Sequence, residues 1–284
     1  MFKNLITFKI NGHPFTSEAD FKKHEIGKLG ALGSKLNGWC PIIGDRFALY
    51  PEGVNAVFFC MMTKEKILPT SVIDDAVQEE VFEIEKTGVT LSKSQIKLIK
   101  SDVIDRLLAI ALIRRTKVNC FMTTEYLFVD SSSPSKADEV ISLILKTFPE
   151  MTLSPFDLPL LPEKLTQWGK DAQLVPDCFL RCGAYVIKSP DGEKQVRMKG
   201  FHDGETLGAE DFVREGEIVT EMSLSWEGRV TFMLTSNAVL KQVYYDLSKC
   251  DEKSENPLEV VQAETFITAS ELVALIEVLQ EVAG

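Results

Sequence analysis

Hydrophobic and polar residues alternate in short runs over the first 70 residues, and this alternation predicts β-strands. The runs LITFKI (residues 5–10) and AVFFCMM (residues 56–62) carry the β-branched and aromatic side chains that suit a pleated sheet. Turn signals separate them at residues 12–14 (Gly-His-Pro) and 51–53 (Pro-Glu-Gly). We therefore expect this region to form a sheet.

A helical spacing of apolar residues begins after Pro69, and Ser71 is the expected N-cap. The residues on its inner face are Val72, Ile73, Ala76, Val77 and Val81. The acids expected on its outer, solvent-facing side are Asp74, Asp75, Glu79, Glu80, Glu83 and Glu85.

The charge pattern reverses after this helix. Residues 86–117 contain eight basic and two acidic residues, and their apolar spacing again predicts a helix. Its apolar stripe is expected to comprise Ile96, Ile99, Val103, Leu107, Ile110 and Leu112. Lys93, Lys97 and Lys100 stand at i, i+4 and i+7, so they are expected to share one face.

A hairpin is predicted next, with strands at residues 118–122 and 126–130 around the turn at 123–125. Ser131 to Pro134 then precede a helix whose expected inward residues are Ala137, Val140, Ile141, Ile144 and Phe148. Four prolines within residues 149–162 predict a linker, because proline cannot donate to a helix or a ladder. A short helix is expected at residues 163–170.

The second half has the alternation of an antiparallel meander. Strands are predicted on both sides of the turn at residues 190–192, and again at residues 218–226, 230–236 and 240–246. The chain is expected to end in a helix over residues 270–283, capped by Thr268 or Ser270. From residue 246 onward there are nine acids and two bases, so this end is strongly negative.

These elements predict an α+β fold with antiparallel sheets and amphipathic helices. We expect three regions: a central α+β region at residues 1–85, a tip lobe at residues 86–150, and a sheet-rich base at residues 151–284. The tip lobe would hold the basic helix, the hairpin and the third helix.

Composition changes this picture in two ways. The net charge of -11 and the pI of about 4.9 argue against nucleic acid as a partner when taken alone, because phosphate binding needs Lys and Arg. No apolar run reaches the ~18 residues that a bilayer span needs, and no signal peptide is recognised. We therefore expect a cytoplasmic protein without a membrane partner, whose six scattered cysteines are reduced.

Catalytic motifs give no support to an enzyme. His13, His24 and His202 have no metal-site spacing, and Cys178 and Cys182 alone make a poor zinc signature. His202 beside Asp203 and Glu205 is better explained as a solvated turn than as an acid–base site. We expect no catalytic residues, no metal and no cofactor.

The basic stretch has two interpretations. Its Lys and Arg could form an ordinary solvated helix face, or they could create a local positive field that meets successive DNA phosphates. Because no groove-reading module is visible, sequence-specific recognition is not indicated.

Several collinear motifs resemble the RdgC family of recombination-associated proteins. The most specific is KEKILP at residues 64–69, followed by Ser-Val-Ile at residues 71–73. The others are FKNL (2–5), GWCP (38–41), LTQW (165–168), VRMK (196–199), Val-Thr (219–220), Leu-Ser-Trp (224–226) and Leu-Lys (240–241), and together they cover nearly the whole chain.

The resemblance implies a crescent-shaped subunit that pairs into a ring-shaped homodimer around duplex DNA. The hole would be positive and the outside acidic, which would reconcile the low pI with DNA binding. Such proteins bind DNA with little sequence preference and hinder RecA function on DNA, which implies an association with the nucleoid. Neither nuclease activity nor a cofactor is implied.

Leu112 stands where the family has a phenylalanine at its tip interface, so it is the expected dimer-interface residue, with a smaller apolar contact. In addition, Gly200-Phe201 replaces the family's usual Lys/Arg-Gln. The residues expected to contact DNA phosphates are Lys93, Lys97, Lys100, Arg106, Arg114, Arg115, Lys117, Arg197 and Lys199. Two alternatives stay open: an acidic protein-interaction module that does not touch DNA, and a hydrolase or nuclease.

Overall fold

The computed structural model describes residues 1–12, 17–198, 213–214, 216–247 and 256–284. Its strands are β1 (Ile6–Asn11), β2 (Lys35–Cys40), β3 (Ala48–Leu49), β4 (Val57–Lys66), β5 (Ile113–Met122), β6 (Tyr126–Val129), β7 (Thr152–Pro155), β8 (Phe179–Lys188), β9 (Gln195–Met198), β10 (Ile218–Trp226), β11 (Val230–Thr235) and β12 (Leu240–Tyr245). Its helices are α1 (Glu18–Lys23), α2 (Thr70–Glu85), α3 (Lys93–Ile110), α4 (Pro134–Thr147), α5 (Leu161–Lys170) and α6 (Pro257–Ala283), with a 3-10 turn at Ala172–Leu174.

The first sheet has seven strands. Six follow the order β2-β4-β5-β6-β1-β7, β3 adds to β4, and all pairs are antiparallel. Because side chains alternate along a strand, β5 sends Val118, Cys120 and Met122 to one face and Phe121 to the other. Helices α1 and α4 cover the first of these faces, which we call the α4 face.

The α4 face buries a compact apolar cluster. Ala137, Val140 and Ile144 of α4 are essentially inaccessible to solvent and pack on the sheet. Phe21 of α1 packs edge-on against Trp39 of β2, whose indole N–H donates to the Thr147 hydroxyl at 2.8 Å. Both contacts anchor β2 to the helices.

The second sheet is antiparallel and has five strands in the order β12-β11-β10-β8-β9. It is joined to the first sheet through the N-terminal segment. The Leu5 N–H donates to the Leu240 carbonyl at 2.7 Å, and the Leu240 N–H donates back at 3.0 Å. One apolar core then continues from Phe121 and Phe128 of the first sheet to Tyr185 and Met222 of the second, with α5 and α6 packed into it.

The α+β fold, the hairpin β5–β6, helices α4 and α5, and the meander β10–β12 confirm the predictions. Four details are wrong. Helix α2 begins at Thr70 with Pro69 as its N-cap, so Ser71 lies inside the helix. Helix α6 begins at Pro257, where Asn256 accepts from the Leu258 N–H, so Thr268 and Ser270 are also internal.

The third error concerns the proline-rich segment, which contributes β7 to the edge of the first sheet. The fourth concerns the basic stretch. Its helix ends at Ile110, and the remaining cations lie on β5. Ile110 ends the helix and Leu112 lies beyond it, so the predicted apolar stripe does not continue to these two residues, which are 80% and 78% exposed.

The predicted boundary at residue 86 falls in the turn between α2 and α3, which pack against each other as a helical hairpin. Strands β5 and β6 belong to the same sheet as β1 and β4. The division into centre, tip and base stays a prediction. Of the helices in the described part of the chain, none has both the length and the apolar character that a bilayer span requires.

Candidate nucleic-acid interface

The helical hairpin α2–α3 places the first group of predicted DNA-binding residues. Helix α3 starts at a capping box in which the Ser92 hydroxyl accepts from the Gln95 N–H at 3.4 Å, and Gln95 reaches back to the Ser92 N–H at 2.9 Å. Val77 of α2 and Val103 of α3 are buried, at 9% and 1% exposure. These two valines give the hairpin a small apolar contact of its own.

Ion pairs connect the two helices of this hairpin. Lys100 contacts Asp74 at 2.9 Å, and Arg106 contacts Glu80. The prediction that Asp74 and Glu80 point away to solvent is therefore wrong, because both turn toward α3. It follows that two of the expected DNA-binding cations already have an acidic partner within the chain.

Lys93 and Lys97 differ from Lys100, although all three stand at one helical spacing. Both are exposed, and within the described residues neither has an ion-pair partner. Their charges are therefore available to an external anion, whereas Lys100 already has an acidic partner in Asp74.

Arg114, Arg115 and Lys117 lie on β5, so strand alternation distributes them over two faces. Arg114 points to the α4 face, where it contacts Glu65 at 2.6 Å. The Arg114 guanidinium holds the pKa of the Glu65 carboxyl below its usual value of 4.5. Arg115 and Lys117 point to the opposite face; both are exposed, and neither has an acidic partner in the part of the chain that the structure describes.

Lys64 joins Arg115 and Lys117 on that opposite face. The register of β4 and β5 pairs Lys64 directly with Arg115 and Met62 with Lys117. The ammonium of Lys64 donates to the Gly27 carbonyl at 2.6 Å, which leaves its charge uncompensated. We call the surface formed by Lys64, Arg115 and Lys117 the basic sheet face.

The predicted set did not include Lys64. The sequence indicates that Lys64 and Met62 share one face of a strand. It does not indicate that Lys64 lies beside Arg115, because β4 and β5 pair although helices α2 and α3 separate them in the sequence.

Arg197 lies apart from these residues. It is an exposed residue of β9, the edge strand of the second sheet, where it pairs with Val186. No ion pair to it occurs among the described residues. Lys199, Gly200 and Phe201 lie outside the described residues.

Leu112 lies in the short connection between α3 and β5. Its carbonyl accepts from the Ile67 N–H at 2.8 Å, which ties this connection to the end of β4. Leu112 and Ile110 are 78% and 80% exposed, and Ile67 and Ile113 beside them are also exposed. These four residues form an exposed apolar patch at the junction of the hairpin and the sheet, which we call the junction patch.

Groups suited to catalysis are sparse in the described ranges. No cluster of three or more His, Cys, Asp or Glu side chains that could hold a metal occurs there. Cys40, Cys60 and Cys120 are buried free thiols, and Cys178 and Cys182 are half-buried ones. His13, the residues His202, Asp203 and Glu205, and Cys250 lie outside the described residues.

Comparisons with known proteins give one consistent family. The RdgC family model, described as "Putative exonuclease, RdgC", matches residues 1–284. The recombination-associated protein RdgC of Shewanella denitrificans is 28% identical, with 100% of this chain and 97% of that protein covered. Its namesake in Herminiimonas arsenicoxydans is 28% identical (94% and 87% covered), and that in Proteus mirabilis is 26% identical (100% and 98% covered).

Proposed function

Because this chain belongs to the RdgC family, we propose that it binds double-stranded DNA through the phosphates, without reading the base sequence, as a ring-shaped homodimer. The observation on which this rests is a set of exposed cations without acidic partners in the described structure, within a protein of net charge -11. Four of them are Lys93 and Lys97 on α3 and Arg115 and Lys117 on β5.

Whether an acidic protein can bind DNA depends on the local charge of its surface rather than on its net charge. At physiological ionic strength the Debye length is about 8 Å, so exposed charges farther apart than this are largely screened from one another. The acids spread elsewhere over the surface therefore do not cancel the local field of neighbouring cations such as Arg115 and Lys117. A duplex presents one negative charge per about 1.7 Å of its axis, which a row of cations can meet without base contacts.

Repulsion between the cations of the basic sheet face favours the binding of an anion there. Like charges placed directly opposite on neighbouring strands destabilise a sheet, and Lys64 and Arg115 are in that arrangement. A bound phosphate would relieve the repulsion. We assign Lys64 to the DNA-binding set on this ground.

The cations predicted from the sequence differ in the contribution to phosphate binding that we propose for them. Lys93, Lys97, Arg115, Lys117 and Arg197 are proposed as phosphate contacts, and Lys199 keeps its place from the family resemblance. Lys100, Arg106 and Arg114 are proposed to contribute less, because their charges are balanced by Asp74, Glu80 and Glu65.

The junction patch supports Leu112 as a dimer-interface residue. An exposed group of four large apolar side chains is costly in water and is typical of an interaction surface. Contact of this patch with its copy in a second subunit would close the ring. The Leu112→Asp variant should lose this closure, so DNA should dissociate from it faster than from the native dimer. Native protein that sediments as a monomer would contradict the ring.

The cellular role we propose is modulation of RecA-dependent recombination. The relatives are named recombination-associated proteins, and a ring on duplex DNA would obstruct a RecA filament on the same molecule. The protein would then act at the nucleoid without forming or breaking covalent bonds in DNA. The partners implied are duplex DNA, a second copy of the chain and RecA filaments.

A salt titration of DNA binding tests this function. Fluorescence anisotropy with a random-sequence duplex should show an affinity that falls steeply between ~50 and ~200 mM salt, with a logarithmic slope near -0.9 per phosphate neutralised. Absence of binding at low salt, or binding that ignores salt, would refute it.

Two other functions predict different outcomes. The acidic interaction module is favoured by the neutralisation of Lys100, Arg106 and Arg114, and it predicts no DNA shift at any salt. An exonuclease, the activity named in the family description, predicts shortening of an end-labelled duplex when Mg²⁺ or Mn²⁺ is added. We expect the duplex to bind and to remain intact.

A further inference from the structure

Two cysteines face each other across neighbouring strands of the first sheet. Cys40 of β2 and Cys60 of β4 are direct partners in the register. The backbone of Trp39 points away from β4, since its N–H donates to the His24 carbonyl and its carbonyl accepts from the Ile26 N–H, each at 2.9 Å. The adjacent Cys40 must therefore direct its own backbone groups toward β4.

This orientation makes Cys40 and Cys60 a hydrogen-bonded antiparallel pair, for which the Cα atoms are about 5.5 Å apart. Disulfides bridge Cα separations of about 4.4–6.8 Å. The pair thus meets the backbone requirement for a disulfide, and both residues are free thiols in the structure.

The two side chains also lie on the same face of the sheet, because direct partners in the register point the same way. Both residues are 2% exposed, and the Cys60 thiol donates to the Met61 carbonyl at 3.7 Å. The interaction with Cys60 lowers the pKa of the Cys40 thiol against the opposing effect of burial, while the interaction with Cys40 and burial both raise the pKa of Cys60. The two thiols are therefore neighbours on one face of the sheet and are shielded from bulk water.

We propose that Cys40 and Cys60 are an oxidation site at which a small peroxide converts the two thiols into one reversible disulfide. Direct cross-strand partners have Cβ atoms about 4.5–5.5 Å apart, with hydrogen-bonded pairs toward the longer distance, whereas a relaxed disulfide needs about 3.5–4.5 Å. Closing the bond strains the strands, and strained disulfides are the readily reduced ones.

The chemistry balances with hydrogen peroxide as the oxidant. The Cys40 thiolate attacks one peroxide oxygen, the O–O bond breaks, and hydroxide leaves, so Cys40 becomes a sulfenic acid. The Cys60 sulfur then attacks the Cys40 sulfur, the S–S bond forms, and the S–O bond breaks. The oxygen leaves as water after taking the Cys60 proton. The two thiols lose two electrons in total, and the peroxide is reduced to two waters.

Peptide mapping tests the proposal directly, because the chain has convenient cleavage sites. Native protein is treated with hydrogen peroxide, its remaining thiols are alkylated, and it is digested with trypsin without reductant. Cys40 lies in the peptide of residues 36–46 and Cys60 in that of residues 47–64, each with no other cysteine. We expect a cross-link between these two peptides that dithiothreitol reverses.

Cys120 is the matched control. It is equally buried, but it lies on β5 and points to the α4 face, away from the pair. Its tryptic peptide, residues 118–136, should stay alkylatable, and the Cys120→Ala variant should form the same cross-link as the native protein. The Cys60→Ala variant should instead accumulate a Cys40 sulfenic acid that dimedone traps.

Two results would overturn the proposal. One is a folded protein, verified by circular dichroism, that keeps Cys40 and Cys60 fully alkylatable after both peroxide and the small thiol oxidant diamide. The other is oxidation that links Cys178 to Cys182, or one chain to another, while Cys40 and Cys60 form no disulfide with each other. Diamide therefore separates slow access of peroxide from an inability to form the bond.

Discussion

Arg114 and Arg115 are adjacent and chemically identical, yet the two faces of the first sheet give them different roles. Arg114 lies on the α4 face and contacts Glu65 at 2.6 Å. Arg115 lies on the basic sheet face, opposite Lys64 and without an acidic partner in the described structure. The difference arises from strand alternation alone, because successive side chains point to opposite faces.

The rest of the α4 face follows the same rule as Arg114. Glu139 of α4 is 15% exposed and binds Lys35, and it binds Lys136 at 3.3 Å. Burial tends to raise the pKa of Glu139, but the hydrogen bonds from the two lysines outweigh this effect and lower it. Cations on this face stabilise the fold, whereas those on the basic sheet face are left for an external anion.

Charge reversal on the basic sheet face should give the largest effect. Replacing Arg115 and Lys117 by Glu removes two phosphate contacts and adds two repulsive charges. We expect the affinity for a random duplex at ~50 mM salt to fall about 100-fold or more, measured by anisotropy. The same substitutions at Lys146 and Lys170, which are exposed on α4 and α5, form the matched control. An equal loss in both variants would show that only net charge matters.

Removing the charge of Glu139 should have a smaller effect, on stability alone. Glu139→Gln leaves Lys35 and Lys136 without their partner, and we expect it to lower the free energy of unfolding by about 2 kcal/mol in urea denaturation. Glu150→Gln, at an exposed position, should change it by less than about 0.5 kcal/mol. DNA affinity should be unchanged in both variants. A large loss of affinity in Glu139→Gln would contradict the assignment of DNA binding to the basic sheet face alone.

The smallest effect concerns the Arg114–Glu65 pair and its pH dependence. The folded-state pKa of Glu65 is depressed, so the pair stabilises the protein above the ordinary carboxyl pKa of 4.5 and loses this contribution as the pH falls through the lowered value. Arg114→Gln should therefore cost less than about 1 kcal/mol at pH 7, because the pair is more than one-third exposed. The difference from the native protein should vanish in acid; a difference that grows in acid would assign Arg114 another role.

Local patterns were sufficient to predict much of the fold. Helix α4 has a clear apolar stripe, and the turn at 123–125 separates two strongly β-forming runs, so both follow from neighbouring residues. The start of α6 was also encoded locally, by Asn256 at the N-cap and Pro257 at the first helical position. It was missed because Thr268 and Ser270 stand closer to the most apolar part of the helix.

The site was less predictable because it depends on pairing between distant elements. The helical spacing of Lys93, Lys97 and Lys100 indicates a shared face, but only the packing of α2 on α3 shows that Lys100 is neutralised. Likewise, the sequence places Arg114, Arg115 and Lys117 directly after the apolar pattern of α3, so they were predicted as part of that helix. They lie instead on β5, which pairs with β4 and directs them to two different faces.

In the proposed complex the cations without acidic partners, and not the paired ones, hold DNA. The most direct test compares the salt dependence of duplex binding for Arg115→Gln and Arg114→Gln, which change the net charge equally at adjacent residues. We expect Arg115→Gln to lower the slope by about one unit and to weaken binding, while Arg114→Gln leaves the slope unchanged. Equal changes in the two variants, or a larger change in Arg114→Gln, would contradict it.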